Sequence, residues 1–287
     1  MLFRSHLAIQ KSVHIAGLSH VLTRTVPVDG ELRMSVADLA RLVDEDRRAG
    51  LRPWMVFASA GTVNTGAVDP LEPIADVAAA AGMWLHVDGA YGGFFVLTER
   101  ARGLLRGMAR ADSVVLDPHK GLFLPYGCGA VLVRDGALLR KAFSFTSSYL
   151  AGVHHELPSP ADYSPELTRH FRALRLWMSL RLHGLARFRA ALEEKLLLAE
   201  LAQERLQTLP GIEVGPKPQL SCVAFRVRGE GDTATQNALE RILARGRVHL
   251  SPTSLWGKLY VRICVLCFRS HLADLEVALE EIRGAIV

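Results

Sequence analysis

The chain has 287 residues, 49% of them hydrophobic and 22% charged, with a formal net charge of +5. That is enough apolar material for one large core or two smaller ones, and it excludes a disordered chain as the default. There is no basic tail, no interleaving of aromatic and basic residues, no apolar signal-like start and no long uninterrupted apolar run. Nucleic acid and membrane are therefore not expected partners, and a soluble cytoplasmic protein is expected.

In chain order, "PWMVFASA" (Pro53 to Ala60) is a short apolar run ahead of Gly61 and predicts a buried strand and a turn. Ile74, Val77 and Ala78 have helical spacing, with Gly82 placed as a helix stop. "MWLHV" (Met83 to Val87) predicts the next strand, ending at Asp88. Thr98 to Met108 reads as a helix with Arg102, Arg106 and Arg110 on a solvated face. "SVVL" (113–116) and "GAVLVR" (129–134) predict two more strands. Strands alternating with helices imply an α/β unit with a largely parallel sheet.

From Ser144 to Pro165 the chain is rich in Ser, Pro, Gly and His and lacks periodicity, which predicts a long functional loop. Ser164-Pro165-Glu166 resembles a helix start, with a helix to His183, a break at Gly184, and a second helix to Leu209. The remainder predicts a strand (Leu220 to Val227), a helix (Thr233 to Arg245), two strands (Val248 to Ser251 and Leu259 to Val265) and a helix (Leu272 to Ile286), a small α+β unit. The expected division is 1–165, a large unit; 166–210, connecting helices; and 211–287, the small unit. Four cysteines are too few for a disulfide framework in a chain this long. The Cys264-x-x-Cys267 pair has no second pair to complete a zinc site, so no metal is expected, and the thiols are expected to be buried.

Two strand ends carry polar residues: Asp88, and the knot Asp117-Pro118-His119-Lys120. In an open α/β sheet such ends face one crevice, so the aspartate and the lysine are expected to meet there. Spacing alone is equally met by a salt bridge at the sheet end. Gly89, Ala90, Gly92 and Gly93 surround the aspartate with small residues that would let a flat ring approach. A lysine in an enclosed apolar place can form a Schiff base, and an aspartate can hold a pyridinium proton.

"HVDGAYGG" followed by "DPHKG" resembles the group II pyridoxal-phosphate-dependent amino acid decarboxylases, without the family's usual N-terminal portion. The resemblance implies a fold-type I large domain with a mainly parallel sheet, a small C-terminal α+β domain, and a homodimer using pyridoxal 5′-phosphate. It implies decarboxylation of an L-amino acid, an aromatic one favoured, to the amine and CO2. In that frame Lys120 carries the cofactor, Asp88 holds its ring nitrogen, and Ala90 lies against the ring. His119 shapes the site, His6 stacks on the cofactor, and Ser59 lies near it. Tyr149 returns the proton, and Arg262 contacts the substrate carboxylate. Gly121 stands where many aromatic amino acid decarboxylases have tryptophan. Two alternatives remain open: another fold-type I pyridoxal enzyme, or a non-catalytic paralogue acting as a dimerising or regulatory subunit.

Overall fold

The computed structural model describes residues 2–3, 7–145, 158–229 and 231–286. His6 and Tyr149 lie outside the described residues. The elements run β1 (Leu2–Phe3), α1 (Leu7–Ile15), β2 (Arg24–Thr25), α2 (Val36–Arg48), β3 (Met55–Ser59), α3 (Leu71–Ala81), β4 (Trp84–Gly89), β5 (Ser113–Leu116), α4 (Pro118–Gly121), β6 (Ala130–Val133) and α5 (Gly136–Phe143). There follow α6 (Arg172–His183), α7 (Leu185–Gln207), β7 (Ile212–Val214), β8 (Cys222–Val227), α8 (Thr233–Arg245), β9 (Ser251–Leu255), β10 (Lys258–Cys264) and α9 (Leu272–Ala285).

The first sheet has the order β2-β1-β3-β4-β5-β6. Its strands pair parallel except for β6, which runs antiparallel to β5. The expected α/β frame with a mainly parallel sheet is thus present. One core packs beneath this sheet, with Val56, Ala58, Leu85 and Val87 from its centre meeting Leu71 and Ile74 of α3 and Leu39 of α2. α3 stops at Gly82, whose φ of 63° is the left-handed conformation that a C-terminal glycine supplies without steric cost.

The second sheet, β7-β8-β10-β9, is antiparallel. Its core joins Val223, Phe225, Val261 and Ile263 to Leu239 and Ile242 of α8 and to Leu275, Leu279 and Ile282 of α9. α7 reaches both cores. Leu192 and Leu196 belong to the first, and Leu198, Ala199, Ala202 and Leu206 to the second.

Four local expectations fail. Thr98 to Met108 is not a helix; two short 3₁₀ turns, Gly93–Leu97 and Arg106–Arg110, flank tight turns. The chain is pressed onto the start of α3 there, since a Cβ on Gly107 would lie 2.4 Å from the Leu71 carbonyl carbon. Nor does a helix begin at Ser164. The Ser164 hydroxyl donates back to Pro160 O (3.1 Å) rather than capping, and Glu166 is gripped by Arg172 (2.6 and 3.0 Å), so α6 starts at Arg172. The strand expected at Val248 to Ser251 begins only at Ser251, where pairing with Arg262 of β10 starts. Cys128 and Cys222 are buried as expected, but Cys264 and Cys267 are exposed, because β10 ends at Cys264 and Cys267 lies in the turn beyond it.

Candidate active site

Strand alternation builds the floor of the site. On β4, Leu85 and Val87 point into the core while His86 and Asp88 take the opposite face. The register pairs Phe57 with His86, Ser59 with Asp88, and Asp88 with Val115, so three parallel strands present these residues side by side. Together with Ala8, Ile9, Ser12 and Val13 of α1, they line a cleft of about 990 Å³. Residues 61–64, Ala90, Tyr91, Asp117 and Lys120 complete its rim.

Asp88 Oδ1 accepts from the Ala90 N–H (3.1 Å), which fixes the carboxylate at the strand end. Ser59 is held from behind, because its N–H donates to Asp69 Oδ2 (2.7 Å), while Asp69 Oδ1 accepts from Met34 N–H (2.7 Å). Lys120 sits on α4, directly after β5, with Nζ 2.7 Å from Asp117 Oδ2. Its side chain is 42% accessible, so the described residues do not give it the enclosed apolar setting expected from the sequence.

The structure therefore brings Lys120, Asp88, Ala90 and Ser59 to one cleft. His119 and Arg262 lie outside its lining. His119 Nδ1 is 2.7 Å from Cys128 O, and its ring lies against Tyr126. The Arg262 guanidinium is bonded to Ser251 Oγ (3.0 and 3.2 Å) and donates to the Val63 carbonyl, so it reaches the cleft only through the backbone of the rim.

His86 was missed by sequence reasoning. Its ring packs edge-on to Phe57 (centroids 5.4 Å apart), with Nδ1 2.8 Å from Ser113 Oγ. Burial holds its pKa below 6.5, against the opposing pull of the Asp88 charge. The available signal was its position two residues before Asp88 on an alternating strand.

The glycines beside Asp88 have a different reason from the one expected. A Cβ on Gly92 would lie 2.1 Å from Ala60 O, and one on Gly93 would lie 2.3 Å from Leu116 Cδ2. They are small because neighbouring strands press on them; of the four small residues, Ala90 alone lines the cleft. Gly121 follows the same logic, since a Cβ there would lie 2.8 Å from Phe94 Cβ.

Residues 3–228 match the pyridoxal-dependent decarboxylase conserved domain. The chain belongs to the pyridoxal-dependent decarboxylase family. It is 36% identical over 291 residues to an aromatic-L-amino-acid decarboxylase of Bacillus atrophaeus, an alignment covering 98% of this chain and 61% of that protein. It is 29% identical over 298 residues to an L-2,4-diaminobutyrate decarboxylase of Acinetobacter baumannii, covering 98% of this chain and 58% of that one. The solved structure of Oryza sativa TDC with PLP and tryptamine superposes with a TM-score of 0.93 at 27% identity, over 99% of this chain and 62% of that chain. The chain thus spans about three fifths of the length of these decarboxylases. The family match bears out the resemblance carried by "HVDGAYGG" and "DPHKG".

Proposed function

We propose that this chain binds pyridoxal 5′-phosphate in the cleft of Asp88 and Lys120 and serves the decarboxylation of an L-amino acid, aromatic amino acids favoured, to the amine and CO2. The observation that carries the reading is the meeting of Asp88, at the end of β4, and Lys120, just past the end of β5, in one cleft. The donor set fits the group: a primary amine, a carboxylate and the small Ala90 all line the one cleft.

Bound there, pyridoxal phosphate supplies an electron sink for the carbanion left when CO2 departs. Lys120 Nζ would be the covalent anchor. Asp88, held by the Ala90 N–H, would keep a proton on the ring nitrogen. Ser59, fixed through Asp69, would orient the cofactor from the neighbouring strand. His119, seated on Cys128 O, would position the lysine turn. His6 and Tyr149, outside the described residues, would keep the roles the resemblance implies, stacking on the cofactor and returning the proton. Arg262, expected on the substrate carboxylate, is assigned here to hold the Val63 rim.

The homodimer and the cytoplasmic setting stay part of this reading, as does the division at 165 and 210. Dimerisation is supported by the apolar face of α6, where Trp177 is 60% and Leu182 78% exposed. Among the described residues no helix is long and apolar enough to cross a membrane, and no group of three or more His, Cys, Asp or Glu is placed to hold a metal.

The accessibility of Lys120 favours a second reading, a subunit that does not turn over by itself. Borohydride reduction in the presence of pyridoxal phosphate, followed by peptide mapping, tests the first. Label on Lys120, lost in Lys120→Ala, is expected. Label elsewhere with none on Lys120 overturns the cofactor assignment.

A further inference from the structure

Cys222 and Cys264 face each other across the second sheet. They are register partners on antiparallel β8 and β10, and their sulfurs are 3.4 Å apart. The next pair out, Val265 and Ser221, is joined by Val265 N–H to Ser221 O (2.8 Å). That makes Cys222–Cys264 a non-hydrogen-bonded pair, the class in which Cα atoms come to about 4.5 Å. This lies inside the roughly 4.4–6.8 Å window in which two cysteines can be bridged without moving the backbone.

The two thiols differ in access. Cys264 is exposed and Cys222 is buried, so a reagent from solvent meets Cys264 first. We propose that Cys222 and Cys264 form an oxidisable pair that closes into a cross-strand disulfide when the protein meets a peroxide.

The chemistry balances with hydrogen peroxide as oxidant. The Cys264 thiolate attacks one peroxide oxygen, the O–O bond breaks, and the departing hydroxide is protonated to water. Cys264 is left as a sulfenic acid. The Cys222 sulfur then attacks the Cys264 sulfur, the S–O bond breaks, and hydroxide leaves as water with the Cys222 proton. Two thiols lose two protons and two electrons, and peroxide becomes two waters. Hydrogen bonding to Cys222 and the nearby Arg262 charge, against the opposing effect of burial, pull the Cys264 thiol down to about 7, which favours its thiolate as the attacking group. Cys222 is shifted upward, by its hydrogen bond to Cys264 and by burial, so Cys264 is the sulfur of the pair that reacts first.

The pair also touches the cleft. Cys222 Sγ lies 3.7 Å from Asn64 O, the Arg262 guanidinium donates to Val63 O, and the Ser221 N–H donates to Tyr91 Oη (3.0 Å). Val63, Asn64 and Tyr91 all line the cleft, so the cross-link forms directly behind its rim. The proposal stands whether or not the cleft holds pyridoxal phosphate.

The test uses the whole reduced chain, a small excess of hydrogen peroxide, alkylation, and digestion without reductant. Titratable thiols in denaturant are expected to fall from the four of the reduced chain to two. A Cys222–Cys264 linked peptide should appear and vanish with dithiothreitol. In Cys222→Ser, Cys264 should stop at the sulfenic acid and be trapped by dimedone. A Cys264–Cys267 link, a link between two chains, or full oxidation of Cys264 with Cys222 still free would overturn the proposal. Because the linked peptide is read in the unaltered chain, a folding defect in the serine variant leaves the test intact.

Discussion

Lys120 Nζ stands 2.7 Å from Asp117 Oδ2, three residues back at the N-cap of the same short helix. The amine proposed as covalent anchor is thus tethered by an ion pair to a neighbour at the cap of its own turn. It must leave that pair to reach a carbonyl. Asp117→Asn keeps the shape and removes the charge. A half-exposed pair of this kind is worth about 0.2–1 kcal/mol, so imine formation with pyridoxal phosphate at neutral pH should speed up by roughly 1.4- to fivefold. Absorbance kinetics read this directly, and an unchanged or slower rate would show that Asp117 does not restrain the lysine.

Asp88→Asn should impair turnover far more than folding. Asparagine can still accept from the Ala90 N–H, but it no longer holds a proton on a ring nitrogen. The expected loss is on the order of a thousandfold in rate in cofactor-loaded protein, about 4 kcal/mol in the barrier. The melting temperature should stay near that of the parent. A near-parent rate would remove Asp88 from the electron-sink role.

His86 gives the fold a pH dependence. Its folded pKa is lowered, chiefly by burial, so as pH falls the unfolded chain takes up this proton first. The stability it contributes is complete above the ordinary value of 6.5 and is lost as pH drops below it through the folded pKa. Urea midpoints at about pH 7.5 and about pH 5.5 should differ less in His86→Gln than in the parent. Equal differences in the two proteins would mean that His86 is not protonated on unfolding in this range.

Gly92→Ala should destabilise the chain although its backbone is ordinary, with φ of −93°. The new methyl would meet Ala60 O at 2.1 Å and Leu220 Cδ1 at 2.5 Å. Overpacking of this kind costs about 1–3 kcal/mol. In a chain of this size that is a fall of about 2–12 °C in melting temperature. Gly103→Ala is the control, since its Cβ meets nothing within 4 Å. Similar melting temperatures for the two variants would show that Gly92 is not under pressure.

The frame was legible where burial imposes a clean period. β3, β5, β8, α3, α8 and α9 all lie within segments expected from their apolar spacing, and β4 overruns its segment at the far end, to Gly89. β1 and β2 were not, because two-residue strands carry no period to read. The arginine-rich stretch after Thr98 has helical spacing, but tertiary pressure at Gly107 overrides it. At the site, Asp88 and Lys120 were legible because each is a polar residue closing an apolar run. The glycines misled, since a residue kept small for packing looks in sequence like one kept small for a ligand. The seats of His119 on Cys128 O and of Arg262 on Ser251 and Val63 depend on partners far along the chain or on backbone atoms, which spacing does not reveal.

The reversed direction of β6 has a kinetic consequence. Because β6 runs back along β5, Leu116 meets Ala130 and Ser113 meets Val133, partners only fourteen to twenty residues apart in the chain. The parallel neighbours β3–β4 and β4–β5 join residues nearly thirty apart across full crossovers. Closing a short loop loses less chain entropy and is faster, so local pairings tend to form ahead of crossovers. The segment carrying Asp117, His119 and Lys120 is the tip of that local pairing. Its shape is set by its own two flanking strands, and on this topology the lysine turn can assemble before the aspartate strand arrives beside it.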